Sequence, residues 1–284
     1  MTYKLKRIIP SILLVISTAV SLFAFASGYN EKTGYLIKSP GTIALYVVIA
    51  IGVLFAAWCA LSTPKNHAIS YNKKAFIPAS LLLHMISACC IPLATITGAK
   101  FVIGSSMISA IRTLLIVCCW VALITTPLIQ LLNRSLIVLS PINTCVTVLF
   151  CLSAITLFYF DHSVEMNNPQ KIFLQLALAA ICLSTLATLR LLIYGNGIRL
   201  FTFAKLCTAI LSPTATVAAL FARSSNEKFF ANIYFYVAII VGVYAIFDAF
   251  TLLFSKIEIS NDSKDDPSPN VALDETAKEN TKES

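Results

Sequence analysis

The chain has 284 residues, of which 58% are hydrophobic and only 12% charged, and its mean hydropathy is +0.83. A water-soluble domain carries about a quarter charged residues and could not hide this much apolar surface, so lipid is the expected solvent. The formal charge of +8 does not point to nucleic acid, because no basic stripe interleaved with aromatics occurs; the expected partner is the bilayer itself.

A helix needs about 20 apolar residues to cross roughly 30 Å of hydrocarbon. Runs of that kind lie near 9–26, 41–62, 75–97, 113–132, 138–160, 172–194, 198–221 and 230–254. They predict an all-α integral membrane protein: a polytopic bundle of eight spans over 1–255, followed by a disordered acidic tail over 256–284.

The first run follows the basic start MTYKLKR and ends in Ala24-Phe25-Ala26, an A-x-A pattern like the end of a cleavable signal. The expected form is an uncleaved anchor; cleavage after Ala26 would leave seven spans. The third run carries His84 at its middle, with Ser80 and Ser87 on its face and Pro78 and Pro92 at either end. A neutral histidine hydrogen-bonded between helices is one reading, and a proton relay or ligand site the other. The stretch from Lys100 to Ser140 is apolar for too long to be one helix, and Arg112 divides it. A ninth span there would invert everything that follows.

Between the fifth and sixth runs comes DHSVEMNNPQK, residues 161–171. Asn168 followed by Pro169 predicts a helix start, since asparagine caps exposed N–H groups and proline at the first helical position loses no hydrogen bond. Asp161 and Glu165 would lie near the positive end of that helix. Together with His162 they form the one external candidate for a divalent ion, a weak pattern of three ligands over five residues. Aromatic residues at the end of the fifth run (Phe158, Tyr159, Phe160) and the start of the eighth (Phe229, Phe230, Tyr234, Tyr236) are expected near the outer interface.

The sixth and seventh runs are joined by YGNGIR, a tight turn that predicts an antiparallel hairpin. Both runs carry polar stripes on one face: Lys171, Gln175, Cys182 and Thr185, then Lys205, Thr208, Ser212 and Thr216. Pro213 removes a backbone hydrogen bond in mid-span, and interrupted helices at that depth accompany solute sites in transporters. Asp248 is the sole acid within a predicted span. Helical rise puts it, Arg190 and Lys205 at a similar depth, so a pair with either base is expected. That pair reads either as a fastener between helices or as a proton- or cation-responsive carboxylate in a transport path.

Loop charges set orientation. With eight spans, Lys4, Lys6, Arg7, Lys65, Lys73, Lys74, Arg134, Arg190 and Arg199 all fall on one side, which the positive-inside rule makes cytoplasmic. Both termini then lie in the cytoplasm, in a multi-pass protein of the cell (plasma or inner) membrane. The nine cysteines fall in apolar runs without CxxC or finger spacing, so they read as small hydrophobes. No HExxH, GxGxxG, Walker or GxSxG pattern occurs, and no cofactor or catalytic residue is expected. The best functional expectation is a transporter, channel or permease subunit for a small solute or ion. The alternative is a non-transport scaffold, sensory or accessory subunit, and either class implies partner subunits in the membrane or cytoplasm. An enzyme working through the 161–171 loop is the weakest reading.

Overall fold

The computed structural model describes residues 3–30, 33–63, 67–70, 136–160, 165, 167–194, 197–221, 233–254 and 256–259. In chain order these form α1 (Tyr3–Gly28), β1 (Tyr29–Asn30), β2 (Tyr35–Leu36), α2 (Pro40–Leu61), β3 (His67–Ser70), α3 (Leu136–Phe160), α4 (Pro169–Tyr194), α5 (Ile198–Phe221), α6 (Ile233–Phe254) and β4 (Lys256–Ile259). Four of these helices hold stretches long and apolar enough to cross a membrane: Ile8–Gly28, Pro40–Leu61, Pro169–Leu191 and Ile198–Phe221. The predicted spans 75–97 and 113–132, with His84 and Arg112, lie outside the described residues, as do Asp161, His162 and the tail beyond Ile259.

The helices end where local chemistry ends them. Ser39 caps α2 by accepting the Thr42 N–H at 3.1 Å, and Pro40 follows in the first turn. Asn168 does the same for α4, its Oδ1 accepting the Gln170 N–H at 2.9 Å, with Pro169 as the first helical residue. The turn between α4 and α5 contains Gly197 at φ +94°, a left-handed backbone that suits glycine. This glycine opens α5 rather than closing α4, for its carbonyl accepts the Phe201 N–H at 3.0 Å.

α5 lies at the centre and packs against α1, α2, α4 and α6. Most of its side chains are buried, whereas α2 turns Ile43, Val47, Ile51, Leu54, Trp58 and Leu61 outward. That contrast suits a central helix shielded by neighbours and an outer one facing hydrocarbon. α5 also stays helical across Pro213, so the proline removes one ladder bond without ending the helix. α1 braces this region: Ser17 Oγ donates to the Ile210 carbonyl at 2.6 Å, and Ser21 Oγ lies 3.0 Å from Thr214 Oγ1.

One end of the bundle is knitted by the β1–β2 hairpin and the start of α4. The Tyr35 hydroxyl donates to Glu165, and Asn168 Nδ2 donates to the Gly34 carbonyl at 3.3 Å. Phe158 and Tyr234 are buried and stack on each other with centroids 4.4 Å apart, because α3 and α6 meet there; Tyr159 faces outward. At the other end, Arg199 Nε donates to the Thr63 carbonyl at 2.9 Å. β3 and β4 form an antiparallel ribbon there, pairing His67 with Ile259 and Ser70 with Lys256. The first four residues of the predicted tail are thus a strand, consistent with the alternation Lys-Ile-Glu-Ile over 256–259.

Candidate functional site

Lys205 and Asp248 meet between α5 and α6. Lys205 sits seven residues into α5 and Asp248 six residues before the end of α6, so the two antiparallel helices bring them to one depth. Lys205 Nζ is 2.5 Å from Asp248 Oδ1, and the residues are only 6% and 8% exposed. Asp248 Oδ2 accepts a second hydrogen bond, from Ser184 Oγ of α4 at 2.8 Å. Ser184 is fully buried, so three helices converge on one carboxylate. Lys205 Nζ also lies 5.4 Å from the centroid of the Phe201 ring, one turn earlier on its own helix.

A charge moved from water into an apolar bundle is costly unless it is paired and hydrogen-bonded. Here the cation and anion cancel, and both carboxylate oxygens hold donors. One turn before Asp248, the Tyr244 hydroxyl lies 3.0 Å from Thr185 Oγ1. Cys151 of α3 and Cys182 of α4 are within electrostatic reach of Tyr244, as is Asp248. The arrangement is a polar knot of acid, base and hydroxyl groups walled by apolar side chains. Such a knot can exchange a proton or bind a small polar species without a net buried charge.

Of the two expected bases, Lys205 is the one paired with Asp248. Arg190 lies at the nearby turn, where its Cδ and Nε sit 3.3 Å from the position a Cβ on Gly197 would take. Ser212 and Pro213 are two turns along α5 from Lys205, both buried. Among the described residues Ser212 Oγ has no hydrogen-bond partner, although the residue is fully buried. Beyond it, Thr216 Oγ1 reaches the Ala238 carbonyl of α6 at 3.0 Å, and a Cβ on Gly242 would come 2.8 Å from that hydroxyl. Ser212 therefore lies along the α5–α6 seam between the ion pair and this close helix contact.

Glu165 is held in the hairpin junction by Tyr35. No group of three metal-ligating side chains occurs among the described residues, but Asp161 and His162 lie outside that set. Sequence reasoning missed Ser184 and Tyr244. Tyr244 had a signal, its i, i+4 spacing to Asp248, which puts both on one face. Ser184 had none beyond its neighbour Thr185, because the phase of α4 against α6 is set by tertiary packing. No protein-family model, curated protein or solved structure matches the chain.

Proposed function

We propose that the chain is a permease or channel subunit for a small solute or ion, working in the cell membrane with the α4–α5–α6 seam as its path. The observation that carries this reading is the buried Lys205–Asp248 pair held by Ser184. Ionisable groups at membrane depth are costly and concentrate where solutes and protons pass. The buried hydroxyl of Ser212 beside Pro213, on the same seam and without a hydrogen-bond partner among the described residues, adds to it. The topology that goes with this function has eight crossings and both termini in the cytoplasm.

The β3–β4 ribbon supports an even number of crossings between its strands. A ninth span after Lys100 would carry Lys256–Ile259 to the opposite side from His67–Ser70 and leave that ribbon unpaired. Retention of the first span is supported by its contacts, since cleavage after Ala26 would remove Ser17 and Ser21, which brace α5.

The test is flux. Purified chain in proteoliposomes should move at least one member of a panel of small cations, anions and neutral solutes. Asp248→Asn should keep the folded protein and lose that movement. A second reading, a scaffold or accessory subunit, is favoured by the saturation of both Asp248 oxygens, as a helix fastener requires. It predicts no flux from wild type and a loss of folded protein in Asp248→Asn.

A further inference from the structure

Resting on the permease reading, we infer that Ser212 Oγ and the Ala209 carbonyl form a hydrogen-bonding station on the α5–α6 seam. The station takes a neutral O–H group, either water or the hydroxyl of a small polyol. α5 carries five hydroxyl side chains. Four of them, on Thr202, Thr208, Thr214 and Thr216, donate to the carbonyl four residues earlier on the same helix. Ser212 does not. Its Oγ is without a hydrogen-bond partner among the described residues, although the residue is fully buried. A buried hydroxyl is costly to leave unpaired, and the ordinary remedy is the turn back onto its own helix that the four threonines make.

Pro213 supplies the complement. It has no N–H, so the Ala209 carbonyl lacks its usual helical donor, and Ala209 is itself buried. Helical carbonyls point toward the C-terminus and side chains lean toward the N-terminus, so the Ala209 oxygen and the Ser212 hydroxyl converge across one turn. An O–H group between them can accept from Ser212 and donate to Ala209, which satisfies both. Two neutral dipoles match such a group in number and direction, whereas an ion stripped of water needs several more ligands.

The station belongs to the seam by helical phase. At about 100° per residue, Ser212 lies within roughly 40° of both Lys205 and Thr216 around α5. Those two side chains reach Asp248 and Ala238 of α6. Between Ala238 and Asp248, Tyr244 alone carries a polar side chain, and its hydroxyl is engaged with Thr185. That stretch of α6 therefore gives Ser212 no side-chain partner, and a passing hydroxyl meets no rival for it there.

The test uses the full chain and two readings. In lipid nanodiscs, Ser212→Cys and Thr214→Cys are treated with a small water-soluble methanethiosulfonate, and labelling is followed by peptide mass spectrometry. Both positions are fully buried, but Thr214 faces Ser17 and Ser21 of α1. The reagent attacks the thiolate, which forms where water reaches, so Ser212→Cys should react at least about tenfold faster. Glycerol should slow it, relative to sucrose at equal osmolality, if a polyol hydroxyl occupies the station; no slowing assigns the station to water. In proteoliposomes, stopped-flow light scattering then reads water and glycerol entry. Wild type should exceed empty vesicles, Ser212→Ala should lose most of the excess, and Ser212→Thr, which keeps a hydroxyl, should retain it. Equal labelling of the two cysteines, or full entry through Ser212→Ala, would overturn the station and leave the permease reading standing. Fast labelling of Ser212→Cys without entry of either solute through wild type upholds the station and removes the permease.

Discussion

Lys205 and Ser184 both direct their polar groups at Asp248. Asp248→Ala would strand Lys205 in the bundle and leave the Ser184 hydroxyl without its acceptor. Removing one member of a buried pair costs about 3 to 5 kcal/mol, whereas replacing both with apolar groups of similar volume is often neutral or stabilising. Thermal denaturation in detergent should therefore show Asp248→Ala melting well below wild type, and the double variant Lys205→Met with Asp248→Leu melting near or above it. A double variant as unstable as the single one would mean that the pair is needed for packing. At this scale the sequence made the acid and its depth legible, because a lone aspartate in an apolar run has few explanations. It left the choice of base open. Arg190 is six residues from Ser184, roughly 240° around the helix, so it points away from the face that meets Asp248. That phase is a property of packing and cannot be read from spacing on α4 alone.

Among the elements, α5 is the most constrained. It is the least apolar of the four helices able to cross a membrane, yet it sits innermost, with hydroxyls meeting α1 on one side and α6 on the other. Pro213 denies the Ala209 carbonyl its usual partner while Ser17 supports the carbonyl one residue on. Pro213→Ala should restore that backbone bond, leave the melting temperature equal or higher, and slow flux in proteoliposomes if the interrupted ladder serves passage. Unchanged flux would confine the proline to packing. The bounds of α5 were readable as 198–221 and the structure gives the same residues, because a glycine turn marks one end and the apolar pattern stops at the other. β4 was not readable in the same way. Four alternating residues carried less weight than the acidic, polar composition of the segment they open, and strand pairing needs a distant partner that composition does not reveal.

For the whole molecule, the two ends differ in how they are joined. One end is tied through Tyr35, Glu165, Asn168 and Gly34, so the α1–α2 hairpin and the head of α4 act as a unit. The other is closed by the β3–β4 ribbon, in which Ala68 faces Glu258. Cysteines at these two positions should form a disulfide on mild oxidation, found as a cross-linked peptide by mass spectrometry, since antiparallel partners fall within disulfide reach. Absence of the cross-link in folded protein would separate the two segments and remove the support for an even number of crossings between them. The membrane class was legible from composition alone, whereas this long-range closure was not.

The ion pair also has a history in time. Lys205 is synthesised 43 residues ahead of Asp248. At about 5 to 20 residues per second it waits roughly 2 to 9 s before its counter-ion exists. Through that interval Lys205 is without the carboxylate it meets in the folded chain, and only helices made earlier can pack beside α5. The serines of α1 that grip the Ile210 carbonyl and Thr214 are already present by then. They offer the nascent α5 a berth, and the arrival of α6 with its aspartate then locks the lysine at depth.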